Sequence, residues 1–378
     1  MGKLLELMEE ENNKLRGKTM KVTERNCEIL KKSNLPTFIW GGAKGANMVL
    51  EYLESKGITV TALVIDDQYS SDINCSNQSI LPYSQVEKKY SAYNIVCGYE
   101  GLLYKDEAYV KSHWKGCRNV FWFPDIFEIN IVEPITKEFY NKEELEFEKV
   151  ISMLSDEISK KSMKAYLREK TEGDHKLIIP YLVFPQYFFD NAPWDLDDDE
   201  VLIDCGAYDG DSIRDFIENV GEYKKIIACE PDEKVYEQLL KNIKKNGWEN
   251  IIPYKIGVGE EKGKLRFAST GNQLSKISDN GEIEIQVETI DSLVQENVTI
   301  LKMDIEGSEM KALKGARNTI IKNRPILMIC AYHKKRDIID IFNYIDSLVD
   351  EYNYYFRCHQ PFPIDAVLYA IPKERIRK

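Results

Sequence analysis

The chain has 378 residues, with 51 basic against 63 acidic side chains, a net charge of −12, and 43% hydrophobic and 11% aromatic content. That length calls for more than one domain, and the apolar content is enough to pack cores, which excludes global disorder. The acidic balance excludes a clamp on a phosphate backbone, so no nucleic-acid partner is expected.

No run reaches the roughly 18 apolar residues that a bilayer span needs. The start, MGKLLELMEEENNKLRGK, is acidic and helical, unlike a signal peptide. Gly2 is followed by Glu6 where a myristoylation signal prefers Ser or Thr, which argues against lipidation. The eight cysteines form no C-x-x-C pair, and Cys97, Cys229 and Cys330 sit in apolar runs. They read as free thiols of a reducing, cytoplasmic protein without disulfides or structural zinc.

Residues 1–34 read as charged helices, with Leu4, Leu5, Met8 and Leu15 along one stripe, forming an arm for packing or for a homo-oligomer. From Leu35 the pattern alternates. Strands are expected over 37–40, 60–65, 93–98 and 119–123, with helices reaching about 56 and over 84–90, giving a Rossmann-like domain at 35–125. Gly42 and Gly45 have the make-up to cradle a phosphate and Asp66 to take a ribose, but one glycine-rich turn is a weak signal. A scaffold or assembly role is the preferred reading there. Residues 126–180, broken at Pro134 and helical from 143 to 170, read as a helical connector or a lid.

The remaining stretch, 181–378, is a second α/β domain. It opens on Tyr181, Phe184, Tyr187, Phe188, Phe189 and Trp194, read mainly as core, with Gln186 and Tyr187 kept as candidates beside the site. Then comes VLIDCGAYDGDS at 201–212: an apolar strand, Asp204 at its end, a turn through Gly206 and Gly210, and a helix to 220. The strand at 225–229 ends in Glu230-Pro231-Asp232, and an acid at that tip accepts both hydroxyls of a ribose. Dinucleotide folds share that acid. The first turn, however, is D-x-G-x-x-x-G and not G-x-G-x-x-G, and a carboxylate there suits the cationic, amino-bearing end of S-adenosyl-L-methionine better than a pyrophosphate. Asp204, Gly206, Ala207, Tyr208 and Gly210 are therefore assigned to the methionine end and Glu230 with Pro231 to the ribose. The backbone of Gly257 and Val258, after a strand over 251–256, is assigned to the adenine edge.

A hairpin is expected from 264–267 and 283–288, its long polar loop STGNQLSKISDNGE able to cover a substrate. A strand over 298–303 ends in Asp304-Ile305-Glu306-Gly307, and another over 325–332 ends at His333. Ligands of open α/β sheets sit at such carboxyl ends, so Asp304, Glu306 and His333 are expected to face a cleft. Glu306 and Glu309 are alternatively helix-start acids favoured by the dipole. His359 and Asp365 flank a last strand pair over 354–359 and 366–371, at the edge of the same cleft. Lys334, Lys335 and Arg336 suit an acidic sugar or a phosphate. Asp304, Glu306 and His333 also have donors for Mg²⁺ or Mn²⁺. Their spacing is no dedicated metal signature, and no metal is assigned.

These residues carry a resemblance. Residues from about 185 to 372 resemble the FkbM-type family of S-adenosylmethionine-dependent methyltransferases through QYF at 186–188, VLIDCGAYDGDS, ACEPDEKVYEQLLKNI at 228–243, VETIDSL at 287–293, LKMDIEGSEMKALKGA at 301–316, AYHKK at 331–335 and AVLYAIP at 366–372. The stretches occur in the family's order over about half of the chain. The resemblance implies a class I methyltransferase fold, a mostly parallel sheet ending in an antiparallel pair. It also implies O-methyl transfer from S-adenosyl-L-methionine to a sugar, a polysaccharide precursor or a related natural product. On that reading His333 or Asp304 takes or orients the hydroxyl proton, with Glu306 beside them. Two rival readings remain: a NAD or nucleotide-sugar enzyme centred on 35–125, and a degenerate methyltransferase acting as a scaffold in glycan synthesis.

Overall fold

The computed structural model describes residues 21–69, 80–127, 132–269, 276–277, 281–294, 296–361 and 364–377. They divide into two compact units, Met1–Ile129 with Tyr166–Pro180, and Asn130–Ala165 with Tyr181–Lys378. Most of the expected N-terminal arm, Cys75 and most of the loop STGNQLSKISDNGE lie outside the described residues. Among those described, no helix is long and apolar enough to cross a membrane, and the cysteines are free and buried.

The first unit is built on a parallel sheet of five strands: β1 (Thr37–Trp40), β2 (Ala62–Ile65), β3 (Ile80–Pro82), β4 (Tyr93–Cys97) and β5 (Cys117–Phe121), in the order β3-β2-β1-β4-β5. β1, β2 and β4 are buried along their whole length, as expected of near-continuous apolar runs in a parallel sheet covered on both faces. β3 has no counterpart in the sequence reading. It is three residues long, ends in proline and pairs only at the sheet edge. Gly45 and Gly98 serve close packing in this unit. A Cβ on Gly45 would lie 2.9 Å from the Gly98 carbonyl oxygen and from the Phe127 ring. Asp66 already has a partner, His113 Nε2 at 2.7 Å, and that imidazole stacks on Trp40 with centroids 4.6 Å apart.

The second unit has a sheet of seven strands: β6 (Val201–Cys205), β7 (Lys225–Cys229), β8 (Ile251–Tyr254), β13 (Ile300–Met303), β14 (Ile326–Cys330), β15 (Tyr352–Cys358) and β16 (Ala366–Pro372). The spatial order is β15-β16-β14-β13-β6-β7-β8. The pairs from β14 to β8 are parallel, and β16 runs antiparallel to β14 and β15. Strand order reverses between β6 and β13, the place where open sheets of this kind bind ligands. A smaller sheet holds β9 (Gly257–Val258), β10 (Gly263–Ala268), β11 (Lys276–Ile277) and β12 (Ile283–Glu288).

Helix Lys137–Met153 packs on helix Asp337–Leu348 through Lys149 Nζ to Asn343 Oδ1 at 2.8 Å and Arg336 to Glu143 at 2.6 Å. The single helix expected over 143–170 is two. Leu154 bridges to Tyr354, and Asp156 caps the following helix, Glu157–Glu172, by accepting from the Ser159 amide at 2.6 Å.

Gly206, with φ +79°, has no room for a side chain, because a Cβ there would overlap the Asp304 carbonyl oxygen. Gly247, at φ +66° in the left-handed region, has nothing within 4 Å of that position. Gly247→Ala is expected to cost about 1 kcal/mol in urea unfolding and Gly206→Ala at least about 2 kcal/mol more than that. Equal losses would contradict the close approach of the two loops.

Candidate active site

Two strand ends and the loops that follow them make the site. β6 delivers Asp204 at its last turn, and β13 delivers Asp304 just past its own end. Because β6 and β13 pair in register, Lys302 lies directly opposite Asp204. Its Nζ sits 2.9 Å from Asp204 Oδ1 and donates to the Gly206 carbonyl at 2.7 Å. Ser212 Oγ donates to Asp204 Oδ2 at 2.6 Å. Burial alone would push the ammonium's pKa down, but Asp204 and Asp304 hold it above its usual value, so it stays charged. The expected role of Asp204 is thereby corrected. Its side chain is 0% exposed and both its oxygens are engaged, so it braces the turn from beneath and does not present a carboxylate to the cofactor.

Above that brace the turn is shaped for close approach. The Gly206 and Ala207 amides donate to the Cys229 carbonyl at 3.0 and 3.1 Å, and Gly210, at φ +93°, opens the helix Asp211–Val220. Tyr208 takes φ +47°, unusual for a non-glycine residue, and its amide donates to Glu230 Oε2 at 3.1 Å. Glu230 Oε1 accepts from the Asp232 amide at 2.8 Å. Each oxygen thus has one backbone donor and keeps lone-pair capacity for another. Burial pushes this carboxyl up to about 7, against the pull of the two amides. Pro231 follows at the entry to the helix Glu233–Asn246, which Asp232 caps.

Gly257 and Val258 are corrected as well. They form β9 of the smaller sheet, paired with Val287 and Glu288, because the strand expected over 251–256 stops at Tyr254. Their backbone is committed to β12 on that edge instead of lying open beside β8.

Around the end of β13 the acids gather on one imidazole. His333 Nε2 lies 3.7 Å from Asp304 Oδ1 and 3.6 Å from Glu306 Oε2, and its Nδ1 lies 3.2 Å from Glu309 Oε1. Asp304 also accepts from Tyr187 Oη at 3.0 Å and from Tyr332 Oη at 3.3 Å. Glu306, at φ +54°, turns the chain so that the amides of Ile305 and Gly307 donate to Glu309 Oε1 at 2.9 and 3.3 Å. Burial would lower the His333 pKa, but Glu309, Asp304 and Glu306 push it up to about 10. The imidazole as it stands therefore holds both protons at neutral pH, which corrects the expectation of a base poised near neutrality. Asp365 joins the edge of this nest. Burial, then Asp304, push it up to about 7, while bonds from Gln360 and Tyr332 oppose the shift.

His359 belongs elsewhere. It is buried between the Val183 carbonyl at 2.8 Å and Tyr369 Oη at 3.0 Å, and burial pushes it down to about 4, the state of a neutral structural histidine. Arg336 is held by Glu143 and Asp340, and Lys335 lies 3.9 Å from Glu133, so of that basic cluster Lys334 is the one placed against Gly307.

Glu309 and Lys302 were not singled out as site residues. Lys302 had a legible signal, a lysine inside the apolar run ILKM, whose charge needs a buried acid opposite. Glu309 looked like an ordinary helix-start acid.

A parallel sheet with this order, a glycine turn after its central strand, an acid at the next strand tip and an antiparallel final pair define a methyltransferase fold. Residues 204–356 match the family model described as Methyltransferase FkbM domain. The crystal structure of Methyltransferase FkbM from Methylobacillus flagellatus KT shares the fold, with a TM-score of 0.69 at 21% identity over 93% of this chain and 94% of that one. Hexuronic acid methyltransferase AglP of Haloferax volcanii is 25% identical over 138 residues, 33% of this chain and 53% of that relative, so the chain spans about half the length of the curated relative it matches. Over residues 204–356 the second unit thus matches a methyltransferase domain of the FkbM type.

Asp204→Asn leaves Lys302 charged and buried without its acid, and is expected to cost about 3–5 kcal/mol in urea unfolding. Replacing both together, Asp204→Leu with Lys302→Met, is expected to cost clearly less than the single change. A double variant as damaged as Asp204→Asn would show that the pair is not what braces the turn.

Proposed function

We propose that this protein transfers a methyl group from S-adenosyl-L-methionine to a hydroxyl of a sugar or polysaccharide precursor. The observation that carries the reading is Glu230. Its carboxylate is fixed by the Tyr208 and Asp232 amides beside a turn in which Gly206 leaves no space for a Cβ, next to the place where strand order reverses. A cofactor with a ribose fits those residues. Glu230 accepts its two hydroxyls, and the Gly206–Gly210 backbone lets the amino-acid end come close. When bound, that cofactor supplies an electrophilic methyl group.

The chain's own contribution is placement. Asp304, steadied by Tyr187 and Tyr332, offers a carboxylate to an acceptor hydroxyl at the rim and holds its proton as the hydroxyl is consumed. His333 beneath it keeps that carboxylate in place by charge. A sugar acid is the favoured acceptor: the relative from Haloferax volcanii is named for hexuronic acid, and Lys334 at Gly307 supplies a cation at the rim.

The test is calorimetric titration with S-adenosylhomocysteine. The native protein is expected to bind it, and Glu230→Ala to weaken binding about tenfold to a hundredfold, as loss of hydrogen bonds to a charged group implies. Binding unaffected by Glu230→Ala, or no binding at all, would sink the reading.

The pH dependence follows from the same carboxyl. It is held near 7 by burial, raised by Asp232 and lowered by Lys302, and ribose hydroxyls favour its ionised form. The complex then carries fewer protons than the free protein. Affinity should rise with pH up to about 7 and level off above it, with proton release on binding, and Glu230→Gln should flatten the curve. A curve falling over that range would contradict the assignment.

A further inference from the structure

The nest at the end of β13 holds more acid than its one imidazole balances. Glu309 is 1% exposed and His333 4% exposed. Glu309 Oε2 and both ring nitrogens of His333 are buried without an aligned hydrogen bond. Asp304, Glu309 and His333 each turn one donor atom toward the others, all within 4.8 Å of one another. Glu306 adds a third carboxylate, with Oε2 3.6 Å from His333 Nε2. Of the three carboxylates Glu309 is the fully buried one, and a buried carboxylate is held by a cation or by a bound proton.

We propose that Asp304, Glu309 and His333 form a binding site for a divalent cation of the Mg²⁺ or Mn²⁺ class. Two carboxylate oxygens and an imidazole nitrogen are donors such an ion accepts. Bonds of about 2.1 Å allow donor atoms to lie roughly 4.2 Å apart, so side-chain movements of less than about an ångström close the set. Glu309 is the ligand best held for this task, because Oε1 is fixed by the Ile305 and Gly307 amides while Oε2 remains for an ion. Asp304 lies on the more exposed side, at 23% side-chain exposure, which leaves coordination positions open toward an acceptor. The role of the ion rests on the methyl-transfer reading above: held by these residues, with His333 giving up one ring proton to become a ligand, the ion would make an acceptor hydroxyl more acidic. The site itself does not depend on that reading.

The experiment is titration of the full chain, stripped with EDTA, with Mn²⁺, following the electron paramagnetic resonance signal of the free ion. One tightly bound Mn²⁺ per chain is expected, displaced by Mg²⁺. Glu309→Gln, which keeps an oxygen for the two amides, and Asp304→Asn are each expected to weaken it tenfold or more with the circular dichroism spectrum unchanged. His333→Asn serves where either variant does not fold. No saturable binding below about 1 mM, a level weaker than roughly 4 kcal/mol, overturns the site. Binding that both carboxamide variants leave unchanged overturns it equally. S-adenosylhomocysteine titrated into the same stripped protein separates the two proposals, since its binding with no Mn²⁺ bound removes the cation alone.

Discussion

One buried ion pair orders the second unit. Lys302 stands opposite Asp204 across the central parallel pair of strands, and its three donors reach Asp204, the Gly206 carbonyl and the face of Tyr187, whose ring centroid is 5.2 Å away. Tyr187 then donates to Asp304. A single ammonium, kept charged by the acids around it, thus ties the turn after β6 to the carboxylate after β13. Pairs of this kind gain little over apolar packing in stability, but removing one partner is costly, and that asymmetry makes them suited to fixing geometry.

The backbone above the pair follows from it. With the Gly206 carbonyl held down by Lys302, the chain rises through left-handed conformations at Gly206, Tyr208 and Gly210, and the Tyr208 amide points at Glu230. Glu230 is then oriented by two amides, not by a salt bridge, which leaves it buried, reluctant to ionise and with lone pairs to offer. On the far side of the reversal point, left-handed Glu306 folds the loop so that Glu309 comes under His333. The two halves of the site share one design: backbone in uncommon conformations, fixed by buried charge.

Much of this was legible in the residues. The apolar runs of β6, β7, β13 and β14, the glycine turn and the acid at Glu230 are local signals, each set by a few neighbouring side chains. What the residues hid was set by contacts across the sheet. Asp204 looked like a ligand because nothing local shows that Lys302, 98 positions on, lies in register with it. His333 looked like a base near neutrality because its three acid neighbours come together only when β13 and β14 lie side by side. Gly257 and Val258 were misplaced because the short strand they form is specified by its partner β12, not by its own composition. β3 escaped for a similar reason, being a three-residue edge strand closed by proline.

The central claim is that the cofactor lies on the turn between β6 and its helix, with its ribose on Glu230. Ultraviolet cross-linking of radiolabelled S-adenosyl-L-methionine to the intact chain, followed by peptide mapping, tests it most directly. The account predicts label in peptides spanning 201–212 or 228–236, suppressed by excess S-adenosylhomocysteine. Label confined to peptides of the first unit, or label that excess S-adenosylhomocysteine does not suppress, would contradict it.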